Sequence, residues 1–108
     1  MDHYKIKRNS FHSLEKIKVF PNSCSFVKIK PKFPVETLVE IEPSFKLQNQ
    51  FNIFAANSLY DPKDKNSHKI LIANYNEKPI TIFNGQIVGY VSPDKLMIYN
   101  TEFKINQN

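Results

Sequence analysis

The residues of this sequence that are best suited to hold a metal ion lie in one polar stretch. Asp61, Asp64 and His68 provide two carboxylates and an imidazole, which are ligand types that divalent metals accept. A structural metal site usually needs four well-placed ligands, however, and this stretch provides three. We therefore interpret residues 60–67 as a solvated surface loop, and we predict no metal and no other cofactor.

The single cysteine and the glutamates give little support for catalysis. Cys24 lacks a His/Asn arrangement that would activate it as a nucleophile, so we expect it to be a small, buried hydrophobic residue. Glu40 and Glu42 alternate along a predicted strand and share one face, which we interpret as solvated. The sequence contains no Asp-Thr/Ser-Gly signature of an aspartic protease. The prediction is a protein that is not an enzyme.

Positive charge is concentrated near the N-terminus. The chain carries a net charge of +5, and residues 1–32 contain eight Lys or Arg side chains against two acidic ones, a net +6. A basic segment on an otherwise neutral domain favours an acidic partner, often nucleic acid, although it can also serve solubility alone. Five residues are candidates for binding nucleic acid: Lys16, Lys18, Lys28, Lys30 and Lys32.

Two arrangements of these lysines are open. If the strands that contain Lys18 and Lys28 are neighbours, the amines form one stripe that follows phosphates without sequence preference. If residues 25–30 instead pair with residues 37–42, two lysines face two glutamates across the ladder. Each such pair contributes about 0.2–1 kcal/mol and neutralises the charge.

Length and composition indicate one globular domain. The chain has 108 residues, of which 41% are hydrophobic and 13% aromatic, and this is enough for a single packed core. One cysteine excludes an intrachain disulfide. No run approaches the ~20 apolar residues of a membrane span, and no signal peptide opens the chain. We expect an intracellular protein, cytoplasmic or nuclear, with no membrane partner.

Short alternating segments between turn residues predict the fold class. Turn residues recur about every 8–12 positions, and no segment keeps a helical period. The pattern predicts an all-β domain, a small antiparallel β-sandwich or partly closed barrel, with about five to eight strands and about one turn of helix. Residues 1–13 are predicted to be a basic N-terminal arm, residues 14–99 the single β domain, and residues 100–108 a polar C-terminal tail. The predicted strands cover residues 16–20, 25–30, 37–42, 51–56, 70–72, 80–83 and 87–91, with an edge strand at 95–99.

The last three of the core strands are predicted to form a meander. Asn84-Gly85 separates two apolar segments, and this dipeptide is the strongest short-range signal for a hairpin, because a type I′ turn needs positive φ at both central residues. We therefore predict a structural turn at Asn84 and Gly85, with a positive φ at Gly85. The apolar residues expected in the core of this region are Ile80, Ile82, Ile87 and Val91.

Residues 70–91 carry a family resemblance and read ILIANYNEKPITIFNGQIVGYV. The order of an apolar strand, an Asn, a polar turn, a Pro-started strand, a Gly turn and a strand ending near Gly resembles a segment of Ty3/gypsy-type retroelement polyproteins. In that family the segment lies between the aspartic protease and the reverse transcriptase. Residues 19–30 and 39–45 resemble its upstream elements, so the resemblance covers roughly residues 17–92.

The same closing segment is similar to the end of dUTPase-like β-barrels, where an Asn, a polar turn and a Gly precede the last core strand. Such an enzyme needs an Asp-rich uracil-pocket hairpin, a Ser-Gly phosphate contact and a Gly-rich C-terminal arm. The sequence contains neither the hairpin nor a Ser-Gly pair, and it has no glycine after Gly89. The resemblance therefore implies a dUTPase-like fold without the catalytic residues.

The retroelement resemblance implies a non-catalytic structural or interaction module that belongs to, or derives from, a polyprotein and acts in assembly or docking. We expect a protein partner or self-association, either through an edge strand or through residues 95–105. An alternative function is an accessory domain that binds nucleic acid non-specifically through its basic N-terminal third. A third hypothesis is a degenerate dUTPase-like enzyme.

Overall fold

Within the residues that the structure describes, the fold consists of β-strands and one seven-residue α-helix. The computed structural model describes residues 9–92. No helix within those residues is long and apolar enough to cross a membrane. The strands are β1 (Ser10–Ser13), β2 (Ile17–Val19), β3 (Ser23–Pro31), β4 (Val39–Pro43), β5 (Ile53–Ala55), β6 (Ser58–Tyr60), β7 (Lys69–Asn74), β8 (Ile80–Ile82) and β9 (Ile87–Val91), with the helix α1 at Phe45–Phe51 and a 3-10 turn at Lys65–Ser67.

Seven of these strands form one curled, antiparallel sheet with the shape of a half-barrel. Its strand order is β5-β7-β3-β1-β9-β4-β6, and β2 and β8 form a separate two-stranded sheet. The prediction of an all-β domain with a partly closed barrel is therefore confirmed. The described residues contain nine strands, more than the predicted five to eight, because β1 lies within the segment predicted to be an arm and β6 was not predicted.

Strand β1 occupies the middle of the large sheet, between β3 and β9. Phe11 is fully buried, and its ring lies 4.9 Å from that of Tyr60 and 5.7 Å from that of Phe33. The predicted arm is therefore wrong for residues 10–13, because burial of Phe11 holds them in the core.

Several predictions concern parts of the chain outside the described residues. They are the remainder of the arm, the edge strand at 95–99, the association segment at 95–105 and the tail at 100–108.

The inner face of the half-barrel carries the hydrophobic core. Alternation along β3 buries Val27 and Ile29 and exposes Phe26, Lys28 and Lys30 on the opposite, outer face, as expected for a strand with one solvated side. Of the core residues predicted near the C-terminal strands, three are buried and Ile87 is half-buried. The fully buried apolar side chains include Phe11, Val19, Val27, Ile29, Ile41, Ile70, Ile72, Ile82 and Val88.

The predicted meander is wrong, although its three strands exist. Strand β7 pairs with β3 and β5, β8 pairs with β2, and β9 pairs with β1 and β4. The chain therefore leaves the large sheet after β7, adds one strand to the small sheet, and returns. Each strand buries its apolar residues against a partner that is distant in sequence, which a pattern of local turns does not reveal.

The turn at Asn84 and Gly85 joins the two sheets instead of closing a hairpin. Gly85 has the predicted positive φ, at +87°, and the N–H of Gln86 donates to the carbonyl of Phe83 at 3.0 Å. Positive φ at the third residue alone is typical of a type II turn, so the predicted type I′ geometry is wrong. The N–H of Gly85 also donates to the carbonyl of Ser13 at 2.8 Å, which attaches the turn to β1.

The helix α1 precedes β5, and its last residue, Phe51, was predicted to begin a strand. Ser44 caps its N-terminus, since its hydroxyl accepts a hydrogen bond from the N–H of Leu47 at 3.1 Å, and Leu47 is buried. The helix ends at Asn52, which adopts the left-handed conformation and donates its N–H to the carbonyl of Gln48. These two caps define a short helix and leave residues 53–55 of the predicted strand as β5.

A buried asparagine at the end of β7 connects the two sheets. The side-chain amide of Asn74 donates to the carbonyl of Val19 in β2 and to that of Lys78 before β8, both at 2.9 Å. Its side-chain oxygen accepts hydrogen bonds from the backbone and the side chain of Asn76 at 2.8 and 2.9 Å. Both the nitrogen and the oxygen of this fully buried side-chain amide therefore have hydrogen-bond partners.

We expect Gly85→Val to lower the free energy of unfolding by about 1 kcal/mol or more, because a β-branched residue tolerates positive φ poorly. A Cβ atom at this position would meet no atom within 4 Å, so the cost comes from the backbone alone. Gly85→Asn is the matched control and should cost less, since Asn accepts positive φ. Equal denaturant midpoints for the two variants would contradict this account.

We expect Asn74→Ala to lower the free energy of unfolding by roughly 3 kcal/mol, because it leaves two carbonyls and the N–H of Asn76 without partners. Chemical denaturation measures the change. Asn49→Ala, an exposed position of α1, is the control and should leave the stability unchanged or slightly higher, because Ala favours the helix. A similar small effect of both substitutions would show that Asn74 does not hold the sheets together.

Candidate functional site

Two adjoining surfaces are the candidate functional site, one on the outer face of β3, β7 and β5 and the other where β3 and β7 meet the segment before β7. The first is apolar, and we call it the outer patch, comprising Cys24, Phe26, Phe54, Leu71 and Ala73. The second is positively charged, and we call it the basic cleft. Its polar lining consists of Lys28, Lys30, Lys65, Asn66, His68 and Lys69. The remaining lining residues are Leu14, Ile29 and Tyr60.

Strand register assembles the outer patch. Phe26 of β3 is paired with Leu71 of β7, and Ala73 of β7 lies between Cys24 of β3 and Phe54 of β5. All five therefore fall on the same side of three adjacent strands. Phe26 and Phe54 each expose 54% of their surface and Leu71 exposes 40%, whereas the small side chain of Ala73 between them exposes 7%. A contiguous exposed apolar surface of this kind is typical of an interaction site.

The position of Cys24 corrects the prediction that it is buried. The cysteine is exposed, because it has the same orientation along β3 as Phe26 and Lys28. Its thiol is part of the outer patch instead of the core.

The basic cleft lies where β3 and β7 meet the segment before β7. It encloses about 580 Å³, and four lysines from three chain segments surround it. Lys28 and Lys30 come from β3, Lys69 begins β7, and Lys65 begins the 3-10 turn. Within the described part of the chain, none of the residues that line the cleft is acidic. The cleft therefore favours an anionic ligand.

Aromatic rings form the inner wall of the cleft. The ring of His68 stacks on that of Tyr60 with centroids 4.4 Å apart, and Nε2 of His68 lies 2.8 Å from the carbonyl oxygen of Asp61. Because a carbonyl only accepts, Nε2 carries the hydrogen. Burial raises the pKa of Tyr60, so its hydroxyl remains protonated near neutral pH.

The carboxylates of Asp61 and Asp64 organise the loop beside the cleft. Asp61 accepts a hydrogen bond from the N–H of Lys63 at 2.9 Å, and Asp64 accepts one from the N–H of Asn66 at 3.0 Å. Among residues 9–92, no group of three or more His, Cys, Asp and Glu side chains could hold a metal ion. The hydrogen bonds instead fix the position of Lys65 and Asn66 in the cleft wall.

Like charges face each other across the strands at the cleft. Lys28 and Lys69 are direct cross-strand partners. Direct like-charge pairs destabilise a ladder. The ammonium group of Lys69 lies over the ring of Phe26, 4.4 Å from its centroid, and this cation–π contact offsets part of the cost.

The structure separates the five lysines predicted to bind nucleic acid. Lys28 and Lys30 line the cleft. Lys16 and Lys18 lie beside and within β2, which pairs with β8 instead of β3, and Lys16 is 5.7 Å from the ring of Phe83. Lys32 lies beyond the end of β3. The single stripe therefore does not form through neighbouring strands.

The alternative pairing of lysines with glutamates is also wrong. Strands β1 and β9 separate β3 from β4, so Glu40 and Glu42 do not face Lys28 and Lys30 across a ladder. No local sequence signal identifies five further residues of the site, which are Lys65, Asn66, Lys69, Phe54 and Leu71. Only the register between β3 and β7 brings Lys69 to Lys28, and no local pattern encodes it.

The chain was also compared with known proteins. No protein-family model matches the sequence, and no curated protein matches it. The resemblance to a retroelement polyprotein segment stays a prediction.

The pKa of His12 predicts a pH dependence of stability. Burial, followed by the charges of Lys32 and Lys30, lowers this pKa, and Nδ1 is buried with no hydrogen-bond partner among the described residues. As the pH falls below about 6.5, the unfolded chain takes up the proton before the folded one, so the free energy of unfolding should decrease. His12→Gln should lose less stability than wild type between pH 7 and 5.

Urea denaturation at several pH values measures this difference. High salt is the control, because it screens the two lysines but leaves the effect of burial, so the difference should shrink without vanishing. Parallel pH profiles for wild type and His12→Gln at low salt would contradict the prediction.

Proposed function

We propose that this domain is a non-catalytic interaction module that acts in assembly, and that two copies associate through the outer patch. The observation that carries the proposal is the exposure of the neighbouring side chains of Phe26, Phe54 and Leu71 on the outer face of the curled sheet. Burying these side chains against the same surface of a second copy would remove apolar area from water.

The contacts at the edge of the sheet favour association through its face. β5 is an edge strand, and an exposed edge would invite strand pairing. The side-chain oxygen of Gln48 accepts the N–H of Ala55 at 3.3 Å, so α1 already occupies part of that edge. The outer patch has no such cover among the described residues.

The predicted kinship gives this role a context. The resemblance to the segment between a retroelement protease and reverse transcriptase implies a spacing, docking or assembly function. A self-associating β domain at such a position would bring neighbouring polyprotein chains together.

Charge and area set the expected strength of association. Each copy carries a net charge of +5, which opposes association at low salt, and only three large apolar side chains of the patch are exposed. We therefore expect a dissociation constant of roughly 100 µM that decreases as salt screens the repulsion.

Sedimentation velocity across a concentration series tests the proposal. Leu71→Ser should weaken self-association at least fivefold. Leu59→Ser is a matched control, because Leu59 exposes 48% of its surface on β6 at the opposite edge of the sheet, and it should change association little. A monomer at all concentrations and salt levels, or equal loss with both variants, would exclude the outer patch as the interface.

A further inference from the structure

The basic cleft has a different chemistry from the outer patch and supports a separate inference. Lys28, Lys30, Lys65 and Lys69 line one cleft of about 580 Å³ whose described lining contains no acidic residue. The carboxylate of Glu15, beside the cleft, accepts a hydrogen bond from the N–H of Lys28 at 3.3 Å, and four lysines outnumber it. Side chains two residues apart on β3 are about 7 Å apart along the strand, and direct cross-strand neighbours are about 5 Å apart. Three of the ammonium groups are thereby anchored close together on one sheet face.

This arrangement costs the folded domain stability when no ligand is bound. The direct pairing of Lys28 with Lys69 places two positive charges where a ladder favours opposite charges. An anion in the cleft would relieve the repulsion. A charge arrangement that lowers the stability of the folded domain is expected at a binding site.

The wall of the cleft is also held in position before any ligand binds. The hydroxyl of Ser67 donates to the carbonyl of Asp64 at 2.7 Å and accepts the N–H of Asp61 at 2.8 Å. These bonds join both ends of the segment that carries Lys65 and Asn66. A wall that is already ordered reduces the entropy lost on binding.

An exposed aromatic ring adjoins the lysines. Phe26 exposes 54% of its surface and touches the ammonium group of Lys69. Lysines that bind phosphates beside a ring on which a base can stack are the combination used to bind single strands. A compact inorganic anion would use the lysines but would gain nothing from the ring.

We propose that the basic cleft binds the backbone phosphates of single-stranded nucleic acid, with Phe26 as a stacking platform for an adjacent base. This site goes beyond the assembly function of the outer patch but shares Phe26 with it, so nucleic acid and a second copy should compete. Binding here should weaken with salt, whereas assembly should strengthen. Contact with three or four phosphates predicts a log–log salt slope of about −2 to −3.

Fluorescence anisotropy with a labelled 12-nucleotide oligouridine at low protein concentration tests the proposal. Lys30→Glu/Lys65→Glu should reduce affinity at least tenfold. Lys16→Glu/Lys18→Glu makes the same change in net charge away from the cleft and should reduce it less than threefold. Absence of binding by wild type, or equal losses in the two double variants, would overturn the assignment of the cleft.

A second arm separates nucleic acid from phosphate alone. Phe26→Leu should weaken oligouridine binding about fivefold and leave competition by inorganic tripolyphosphate unchanged. Equal binding of oligouridine by Phe26→Leu and wild type would overturn the nucleic-acid assignment.

Two further measurements do not depend on charge-reversed variants. In NMR spectra of wild type, oligouridine should shift the backbone amides of Lys30, Asn66 and Lys69 more than that of Lys18, and the reverse pattern would overturn the proposal. Lys28→Gln should raise the thermal midpoint at low salt while weakening binding, because it removes the pairing with Lys69. A lower midpoint would show that the lysine pair does not oppose folding.

Discussion

The hydrogen bonds of Asn74 are the constraint on which the rest of this structure depends. The side chain is fully buried and joins the last residue of β7 to β2 and to the turn before β8. A buried amide without partners would cost several times what one satisfied bond contributes. The two sheets must therefore meet at this point, and the small sheet is held against the large one by polar contacts as well as by apolar packing.

The network extends from Asn74 to the helix. The side-chain amide of Asn76 donates to the carbonyl of Phe51 at 2.6 Å, and the side chain of Asn52 donates to Asn76 Oδ1 at 3.1 Å. The C-terminus of α1, the end of β7 and the turn before β8 are thus connected. Since β5 follows α1 directly, the same contacts place the edge of the outer patch.

The register between β3 and β7 transmits this constraint to the functional surfaces. Pairing begins at Ser23 with Asn74 and ends at Lys28 with Lys69. A shift of one residue would turn every side chain to the other face, which would bury the lysines and expose Ile70 and Ile72. Fixing Asn74 at one end therefore keeps Phe26 with Leu71 and the lysines together at the other end. An apolar surface and a basic surface consequently share two strands.

The sequence by itself determined the features that depend on neighbouring residues. Period-2 alternation identified the faces of β3, and the need for positive φ identified the turn at Gly85. Local patterns could not show that Gly89 is required for a different reason, which is lack of space. A Cβ atom at Gly89 would lie 2.7 Å from Cγ2 of Ile41 and 2.9 Å from the carbonyl oxygen of Glu42. Only the tertiary structure decided which strands pair, because β3 contacts β1 and β7 and not β4. The tertiary structure thereby decided that Lys28 faces Lys69 instead of a glutamate. Pairing between distant strands depends on burial of the whole core, and not on the two residues that face each other.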